Sequence, residues 1–152
     1  MKNNNYPNWI VPLDIAKQLK EIGFNEPCLV TYHEVFDEEM IFISFEGDSC
    51  YYYANLSECS QRTNSEMGKD ILETGKHYSY ACSIPTWTDV LAWFRKKNLV
   101  GLVSYRYRDK NNKGFSFEIL DEDTDVFLYN TYEQAQEALV YKLIEIYKSE
   151  QE

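Results

Sequence analysis

Apolar residues recur at two different spacings in this chain, and that difference constrains its fold more than any other feature. Residues 131–148 carry apolar side chains every three or four positions, and 12–22 and 87–97 repeat this helical spacing. Other runs are short, rich in Val, Ile, Tyr and Phe, and partly alternate apolar with polar residues, which is typical of strands. The sequence therefore predicts an α+β fold in which three amphipathic helices pack on an antiparallel sheet of about five to six strands.

The helices carry recognisable start and stop signals. Thr131 opens a Thr-x-x-Gln capping box at the last helix, and Thr86 with Asp89 forms a similar arrangement at the second. Gly23 and Asn98 follow the first and second helices, and both residue types tolerate the left-handed backbone that ends many helices. These signals predict the helix boundaries more narrowly than apolar spacing alone does.

The strand-like runs are separated by short polar turns, so neighbouring strands are expected to pair as antiparallel hairpins. The runs are 28–35, 40–46, 50–56, 99–108 and 115–120, with a short further strand at 126–129. The connecting turns are 36–39, 47–49 and 109–114. The first three runs are expected to form a meander, and the next two to form a hairpin.

We expect one domain over residues 1–152. The length fits the usual size of a domain, and 44% apolar residues can supply a core. Residues 1–9 and 149–152 are polar and are expected to fray. Residues 57–83 are the least defined part, because a polar loop there could be followed by a helical turn and, at 78–84, by a strand or an extended linker.

The chain is strongly acidic, with 25 Asp and Glu against 15 Lys and Arg and a net charge of −10. Such a charge repels nucleic acid and anionic membrane surfaces unless a local basic patch intervenes. No apolar run approaches the ~20 residues of a membrane span, and the first residues lack the apolar stretch of a secretory signal. We therefore expect a cytoplasmic protein with no membrane partner.

Cysteine and histidine show no metal or thiol motif. The cysteines are Cys28, Cys50, Cys59 and Cys82. They include no C-x-x-C pair, so zinc is not expected and the thiols are expected to be buried in a reducing compartment. The two histidines are His33 and His77, and Cys82 with His77 could act as a thiol nucleophile with its base. No local signature supports that pair, and an enzyme with a dispersed site stays an alternative.

Two acidic clusters resemble cation sites only in part. The first consists of Glu34, Asp37, Glu38 and Glu39, next to a histidine. The second consists of Asp121, Glu122, Asp123 and Asp125. The second starts like an EF-hand calcium loop, but Val126 replaces the required glycine and Tyr132 the last glutamate. Gly68 and Lys69 likewise lack the spacing of a phosphate-binding loop. We interpret both clusters as charged turns and predict no catalytic, metal-binding or cofactor-binding residue.

The positive charge is concentrated in residues 95–113, which we call the basic segment. Its basic residues are Arg95, Lys96, Lys97, Arg106, Arg108, Lys110 and Lys113, against a single acidic residue, Asp109. With Tyr105, Tyr107 and Trp93 close in sequence, the basic segment could bind an anion or nucleic acid. The alternative is that Arg106 and Arg108 pair across the hairpin with Glu118 and that the lysines keep the turn soluble.

Three stretches of the sequence, 16–24, 85–95 and 132–146, carry a family resemblance. The middle one begins with Pro85-Thr86-Trp87 and ends with Trp93-Phe94-Arg95. Together the three resemble small acidic proteins of gut Bacteroidetes and their phages or prophages, a group without an assigned activity. The resemblance implies a cytoplasmic setting, in some cases within a phage-infected cell, and it assigns a role to no residue.

A non-enzymatic protein-binding or regulatory domain is the function that these observations favour. The acidic charge, the 13 tyrosines and the missing catalytic constellation all point that way. In the phage setting that the resemblance implies, the partner could be a host DNA-binding protein, with the acidic chain imitating DNA. The alternatives are nucleic-acid or anion binding through the basic segment, and an enzyme with a dispersed site.

Overall fold

Each of the first two helices is followed by a group of strands along the residues that the computed structural model describes, which are 7–35, 38–43, 63–67, 78–123 and 125–151. The helices are α1 (Leu13–Glu21), α2 (Trp87–Lys96) and α3 (Tyr132–Ser149), and 64–67 form a further helical turn. The strands are β1 (Val30–Val35), β2 (Glu38–Ile43), β3 (Tyr78–Ile84), β4 (Gly101–Asp109) and β5 (Asn112–Ile119). The predicted α+β class is confirmed.

The strands form two small antiparallel sheets, and the prediction of one sheet of about five to six strands is wrong in this respect. β1 lies between β2 and β3 in the first sheet, and β4 pairs with β5 in the second. The predicted strand at 50–56 lies outside the described residues. The predicted strand at 126–129 is irregular chain, joined to β5 by a single bridge between Phe115 and Tyr129.

Contacts divide the chain into two compact units, 1–89 and 90–152. The first unit contains 14 Asp and Glu against six Lys and Arg, and the second contains 11 against nine. The net charges are therefore −8 and −2, so most of the acidity predicted for the whole chain belongs to the first unit. The single domain over 1–152 stays a prediction, and the two units are described separately below.

In the first unit, α1 ends where the sequence predicts and the chain turns back on it. Gly23 has a φ of 90°, and the N–H groups of Gly23 and Phe24 donate to the carbonyls of Lys20 and Leu19 at 3.1 and 2.9 Å. This is a Schellman motif, which uses a left-handed residue to satisfy the last carbonyls of a helix. Phe24 and Leu19 are both fully buried, so the motif also closes the apolar side of α1.

The outer side of β3 in the first unit is closed by two side chains. Lys20 Nζ donates to the Ala81 carbonyl at 2.6 Å, and the Ser83 N–H donates to Asn64 Oδ1 at 2.9 Å. Asn64 Nδ2 in turn donates to the Phe24 carbonyl at 2.7 Å. Asn64 is almost fully buried, so both of its bonds replace water. The strand predicted as one option for 78–84 is confirmed, and side chains satisfy main-chain groups beside it.

The α2 helix begins and ends with the predicted signals. Thr86 and Asp89 exchange bonds in both directions: the Thr86 N–H donates to Asp89 Oδ2 at 3.1 Å, and the Asp89 N–H donates to Thr86 Oγ1 at 3.1 Å. At the other end Asn98 has a φ of 64°, and the Leu99 N–H donates to the Phe94 carbonyl at 3.0 Å. This is again a Schellman motif, with Asn98 in the position that Gly23 holds in the first unit.

In the second unit, α3 packs on one face of the β4–β5 sheet. The Thr131 hydroxyl accepts the Gln134 N–H at 3.2 Å and starts the helix, as predicted. Its buried residues are Ala135, Gln136, Leu139, Val140, Leu143 and Ile144. Gly101 lies so close to this face that a Cβ there would overlap the end of the Leu139 side chain, which would then have to shift. None of the helices in the described ranges is both long and apolar enough to cross a membrane.

Candidate binding surface

The β4–β5 hairpin carries most of the residues that the sequence singles out, and it is longer than predicted. The strands run to Asp109 and restart at Asn112, so the predicted six-residue turn is much shorter. The Asp109 carboxylate accepts the N–H groups of Asn111 and Asn112 at 2.8 and 2.9 Å. These bonds, with that from Asn111 the strongest, lower the pKa of Asp109. The Asp109 side chain thus bonds the N–H groups of the turn and allows a shorter connection than predicted.

One face of the hairpin is aromatic and partly exposed, and we call it the aromatic face. It consists of Tyr105, Tyr107 and Phe115 on the hairpin, with Tyr132 from the start of α3. The ring of Phe115 lies 5.3 Å from that of Tyr105 and 6.0 Å from that of Tyr132, both edge to face. Tyr105, Tyr107 and Tyr132 expose 55%, 62% and 42% of their surface. The aromatic face is therefore a continuous surface that packs against the protein on one side and faces water on the other.

Residues 126–128, just before α3, add aliphatic and aromatic surface in the same unit. Val126, Phe127 and Leu128 are all exposed, at 55%, 61% and 42%. The backbone of Tyr129 pairs with Phe115 in both directions, at 2.9 and 2.7 Å, which holds the end of this segment against β5. An open groove of about 420 Å³ lies between residues 128–130 and α3, and Glu137, Ala138 and Tyr141 line its helix side. In the sequence this segment is recognisable only as three consecutive apolar residues after an acidic turn.

The opposite face of the hairpin holds an ion pair. Arg106 Nη2 donates to Glu118 Oε2 at 3.0 Å, and Arg106 Nε donates to Ser116 Oγ at 3.1 Å. The two charged side chains are 44% and 46% exposed, so the pair contributes little to stability. The interpretation that Arg106 pairs across the hairpin with Glu118 is therefore correct, and this guanidinium is not left unpaired for an anion.

The basic segment does not form one compact patch. Arg95, Lys96 and Lys97 are exposed at the end of α2, whereas Lys110 and Lys113 are exposed at the turn end of the hairpin, beyond β4 and in β5. The nine residues of β4 span roughly 26 Å, which is well beyond a Debye length of about 8 Å at physiological salt. Arg108 lies in β4, and its side chain is outside what the structure describes.

Trp93, which lies close to the basic segment in sequence, is buried. It is 5% exposed and packs edge to face against Phe94 and Tyr147, with ring centroids 5.0 and 5.2 Å away. Lys97 Nζ lies 5.4 Å from its ring. Its position three residues after the buried Val90 is the helical spacing that marks it as a core residue.

Of the candidate catalytic pair in the first unit, only Cys82 lies within the described residues. Cys82 lies in β3 and is fully buried, and burial raises the pKa of its thiol to about 11. Cys28 is also buried, and desolvation raises the pKa of its thiol to about 12. At neutral pH a thiol with a pKa near 11 is ionised in roughly one molecule in ten thousand, so neither is an activated nucleophile. His77, Cys50 and Cys59 lie outside the described residues.

The acidic clusters are placed only in part. His33 Nε2 lies 3.1 Å from Thr31 Oγ1, and Glu34 stands opposite Glu39 in the β1–β2 pairing. Glu38 starts β2, and Asp37 lies outside the described residues. Asp121, Glu122, Asp123 and Asp125 are exposed, and Asp121 has a left-handed φ of 66°. Within the described ranges no three His, Cys, Asp or Glu side chains converge as metal ligands would. Gly68 and Lys69 lie outside those ranges.

No family model, curated protein or solved structure matches this chain, so the surface has to be interpreted from its own geometry.

Proposed function

We propose that this chain is a protein-binding or regulatory domain without catalytic activity, and that its second unit carries the binding surface. The observation that carries the proposal is the aromatic face, in which three tyrosines are 42–62% exposed. Large exposed apolar surfaces on soluble proteins commonly mark interaction sites, and tyrosine is enriched among the residues that dominate binding energy. Residues 126–128 are further exposed apolar residues of the same unit.

The energetics favour a protein partner. Burying the remaining exposed half of a tyrosine side chain contributes about 1 kcal/mol, and its hydroxyl can bond a partner at the rim. The three tyrosines could supply the anchoring side chains at the centre of an interface. The rings of Tyr105 and Tyr132 are already held by edge-to-face contacts with Phe115, so these two would lose little side-chain entropy on binding.

A second candidate function, binding of single-stranded nucleic acid, rests on a more limited observation. Lys113 stands opposite Tyr107 in the β4–β5 register, so a cation adjoins exposed rings that could stack with bases. Two observations weigh against it: Trp93 is buried, and Arg106 is engaged with Glu118. A labelled oligonucleotide that does not bind at low salt would exclude this candidate.

The proposal is tested by comparing captured partners between matched surface variants. The immobilised chain, the double variant Tyr105→Ser with Tyr107→Ser, and the control variant Trp9→Ser are exposed to a lysate of the source cells. Trp9 is 47% exposed in the first unit and serves as an aromatic residue of comparable exposure. We expect a partner that both the parent and the Trp9 variant retain and the double tyrosine variant loses.

The captured partner is then purified and its affinity measured directly. We expect the double tyrosine variant to bind at least about 30-fold more weakly, which corresponds to roughly 2 kcal/mol. Circular dichroism and thermal melting of all three proteins establish that they fold alike. A partner held equally well without the two tyrosine rings would contradict the proposed surface.

A further inference from the structure

The outer edge of β4 differs from the outer edges of β5 and of β3 in the first unit. Within the described chain, β4 pairs with β5 on one side and with no strand on the other. The free side of β5 is held by Tyr129, whose backbone bonds Phe115 in both directions. In the first unit, side chains of Lys20 and Asn64 occupy main-chain groups of β3. An edge strand left in this state is a template for a further strand.

The pairing pattern identifies which β4 groups face outward. Bonded and non-bonded pairs alternate along an antiparallel ladder. The Leu120 N–H donates to the Val100 carbonyl at 2.9 Å, so the bonded pairs that follow involve Leu102, Ser104 and Arg106. Phe115, a partner of Tyr105, directs its own N–H and carbonyl to Tyr129, which agrees with this assignment. The main-chain groups of Val103, Tyr105 and Tyr107 therefore point away from β5.

The outward groups and the aromatic face belong to the same residues. Tyr105 and Tyr107 present N–H and carbonyl groups at the strand edge and exposed rings beside it. A strand added at this edge would bond to the backbone of both residues and lay alternate side chains against their rings. The edge thus offers the two parts that strand addition requires, main-chain bonds for affinity and side-chain contacts for selectivity.

We propose that the outer edge of β4 accepts an extended acidic segment of a partner protein as an additional strand. This inference rests on the proposed protein-binding function and specifies how the partner is held. The acidic character follows from charge complementarity: the β4–β5 hairpin, residues 101–119, carries four basic residues and two acidic ones. Lys110 and Lys113 are exposed at its turn end, whereas Arg106 is paired with Glu118. The hairpin therefore has a net charge of +2, even though the chain as a whole is acidic.

A second copy of the chain fits this edge less well. Pairing β4 with β4 would place the basic hairpins of two molecules side by side, and like charges across a strand pair are destabilising. The net charge of −10 on each molecule adds long-range repulsion. An acidic segment from another protein avoids the repulsion between two basic hairpins.

Amide hydrogen exchange tests whether the edge is available. We expect Val103, Tyr105 and Tyr107 to exchange at least about 100-fold faster than Leu102, Ser104 and Arg106, because only the second set is bonded to β5. A fully protected β4 in the free protein would overturn the proposal, because the edge would then already be covered.

Binding is tested with two pools of extended decapeptides, in which Val, Ile and Thr alternate either with Glu and Asp or with Lys and Arg. We expect the acidic pool to bind at least about ten-fold more tightly at low salt, with a difference that shrinks as salt rises. We also expect the acidic pool to slow exchange at Val103, Tyr105 and Tyr107. Failure of the acidic pool to bind, a preference for the basic pool, or binding of an oligonucleotide in its place would overturn the acidic-segment assignment.

A matched pair of variants separates main-chain bonding from side-chain contact. Tyr107→Thr and Tyr107→Pro both remove the ring, but only proline removes the outward N–H, and proline is tolerated on a strand edge that faces away from its neighbour. We expect Tyr107→Pro to weaken binding of the acidic pool about three- to ten-fold beyond Tyr107→Thr. Equal losses would overturn strand addition.

The two proposals fail in different ways. If the captured partner is lost with the two tyrosine rings while Tyr107→Pro and Tyr107→Thr behave alike, the protein-binding surface stands and strand addition falls. If the partner is retained without the rings, the proposed function itself falls. Sedimentation of the free chain measures its oligomeric state. A dimer that is lost in Tyr107→Pro would identify a second copy, and not an acidic segment, as the occupant of the edge.

Discussion

The sheets of the two units manage their edges in opposite ways. In the first unit β1 is central, and the strand beside it, β3, has main-chain groups occupied by Lys20 and Asn64. In the second unit the first strand, β4, is itself an edge, and it presents Tyr105 and Tyr107 to solvent. Both units reach their strands through a helix that ends in a Schellman motif. The same helix ending can therefore precede a sheet edge whose main-chain groups are bonded by side chains or one whose groups face solvent, depending on which side chains lie beside the sheet.

The largest effect is expected where α3 packs on the second sheet. Leu139→Ala should lower the free energy of unfolding by about 3 kcal/mol, because Leu139 is fully buried against Gly101. Gly101→Ala alone should also destabilise, by about 1–3 kcal/mol, because its Cβ would overlap Leu139.

Combining Leu139→Ala with Gly101→Ala tests whether the two residues share one contact, since the smaller side chain at 139 makes room for the methyl group at 101. We expect the double variant to lose clearly less stability than the two single losses together, as measured by urea unfolding. Additive losses would mean that the two residues do not share one packing contact.

The next effect concerns the closed edge of the first unit. Asn64→Ala should destabilise by about 2–3 kcal/mol, because it leaves the buried Ser83 N–H and Phe24 carbonyl without their partner. The neighbouring exposed Ser65→Ala is the control and should change stability by less than about 0.5 kcal/mol. Amide exchange at Ser83 should accelerate in Asn64→Ala alone. An unchanged exchange rate at Ser83 would contradict this account, because the main-chain groups of β3 would then be protected by something other than Asn64.

The third effect is a dependence of stability on alkaline pH that originates in the first unit, which contains every cysteine of the chain. Burial raises the pKa of Cys82 from 9.0 to about 11, so its folded form holds a proton that its unfolded form has lost. The associated stability is complete below pH 9 and is lost as pH rises towards 11, by about 2 kcal/mol. Cys82→Ala should flatten the fall in urea midpoint between pH 8 and 11 relative to the parent. An equally steep fall in both proteins would assign the alkaline instability to other groups.

The smallest effect compares the two helix stops. Gly23→Ala should destabilise by about 1 kcal/mol, because alanine is strained at a φ of 90°. Asn98→Gly should be neutral or stabilise by a few tenths of a kcal/mol, because glycine adopts a φ of 64° without strain. Thermal melting distinguishes the two signs. A loss of stability in Asn98→Gly would show that the asparagine side chain has a further role at that turn.

Local signals in the sequence predicted local structure well. The stops at Gly23 and Asn98 and the starts at Thr86 and Thr131 depend on residues within one helical turn, and each is found in the structure. The hairpin was also predicted, but its turn was placed too long, because the capping of two N–H groups by Asp109 was not recognised. Distances along the chain of three or four residues are therefore where sequence patterns are most informative.

Features that depend on contacts between distant parts of the chain were not predicted from the sequence. Pairing preferences do not say whether two groups of strands join into one sheet, and the one predicted sheet proved to be two. Trp93 was grouped with the aromatic residues beside the basic segment, whereas its position three residues after the buried Val90 places it in the core. The exposure of Val126, Phe127 and Leu128 also escaped, since three apolar residues in a row resemble a buried strand. Which apolar residues stay in water is decided by packing that a single sequence does not display.

The open side of β4 has a consequence for how molecules of this protein coexist at high concentration. A bare ribbon edge invites neighbouring chains to stack into fibrils, and natural proteins often place lysine or arginine nearby as gatekeepers. Lys110 and Lys113 occupy that position at the turn end of the hairpin. The same charges that would attract an acidic segment therefore also hold identical molecules apart, and strong electrolyte would weaken both actions together.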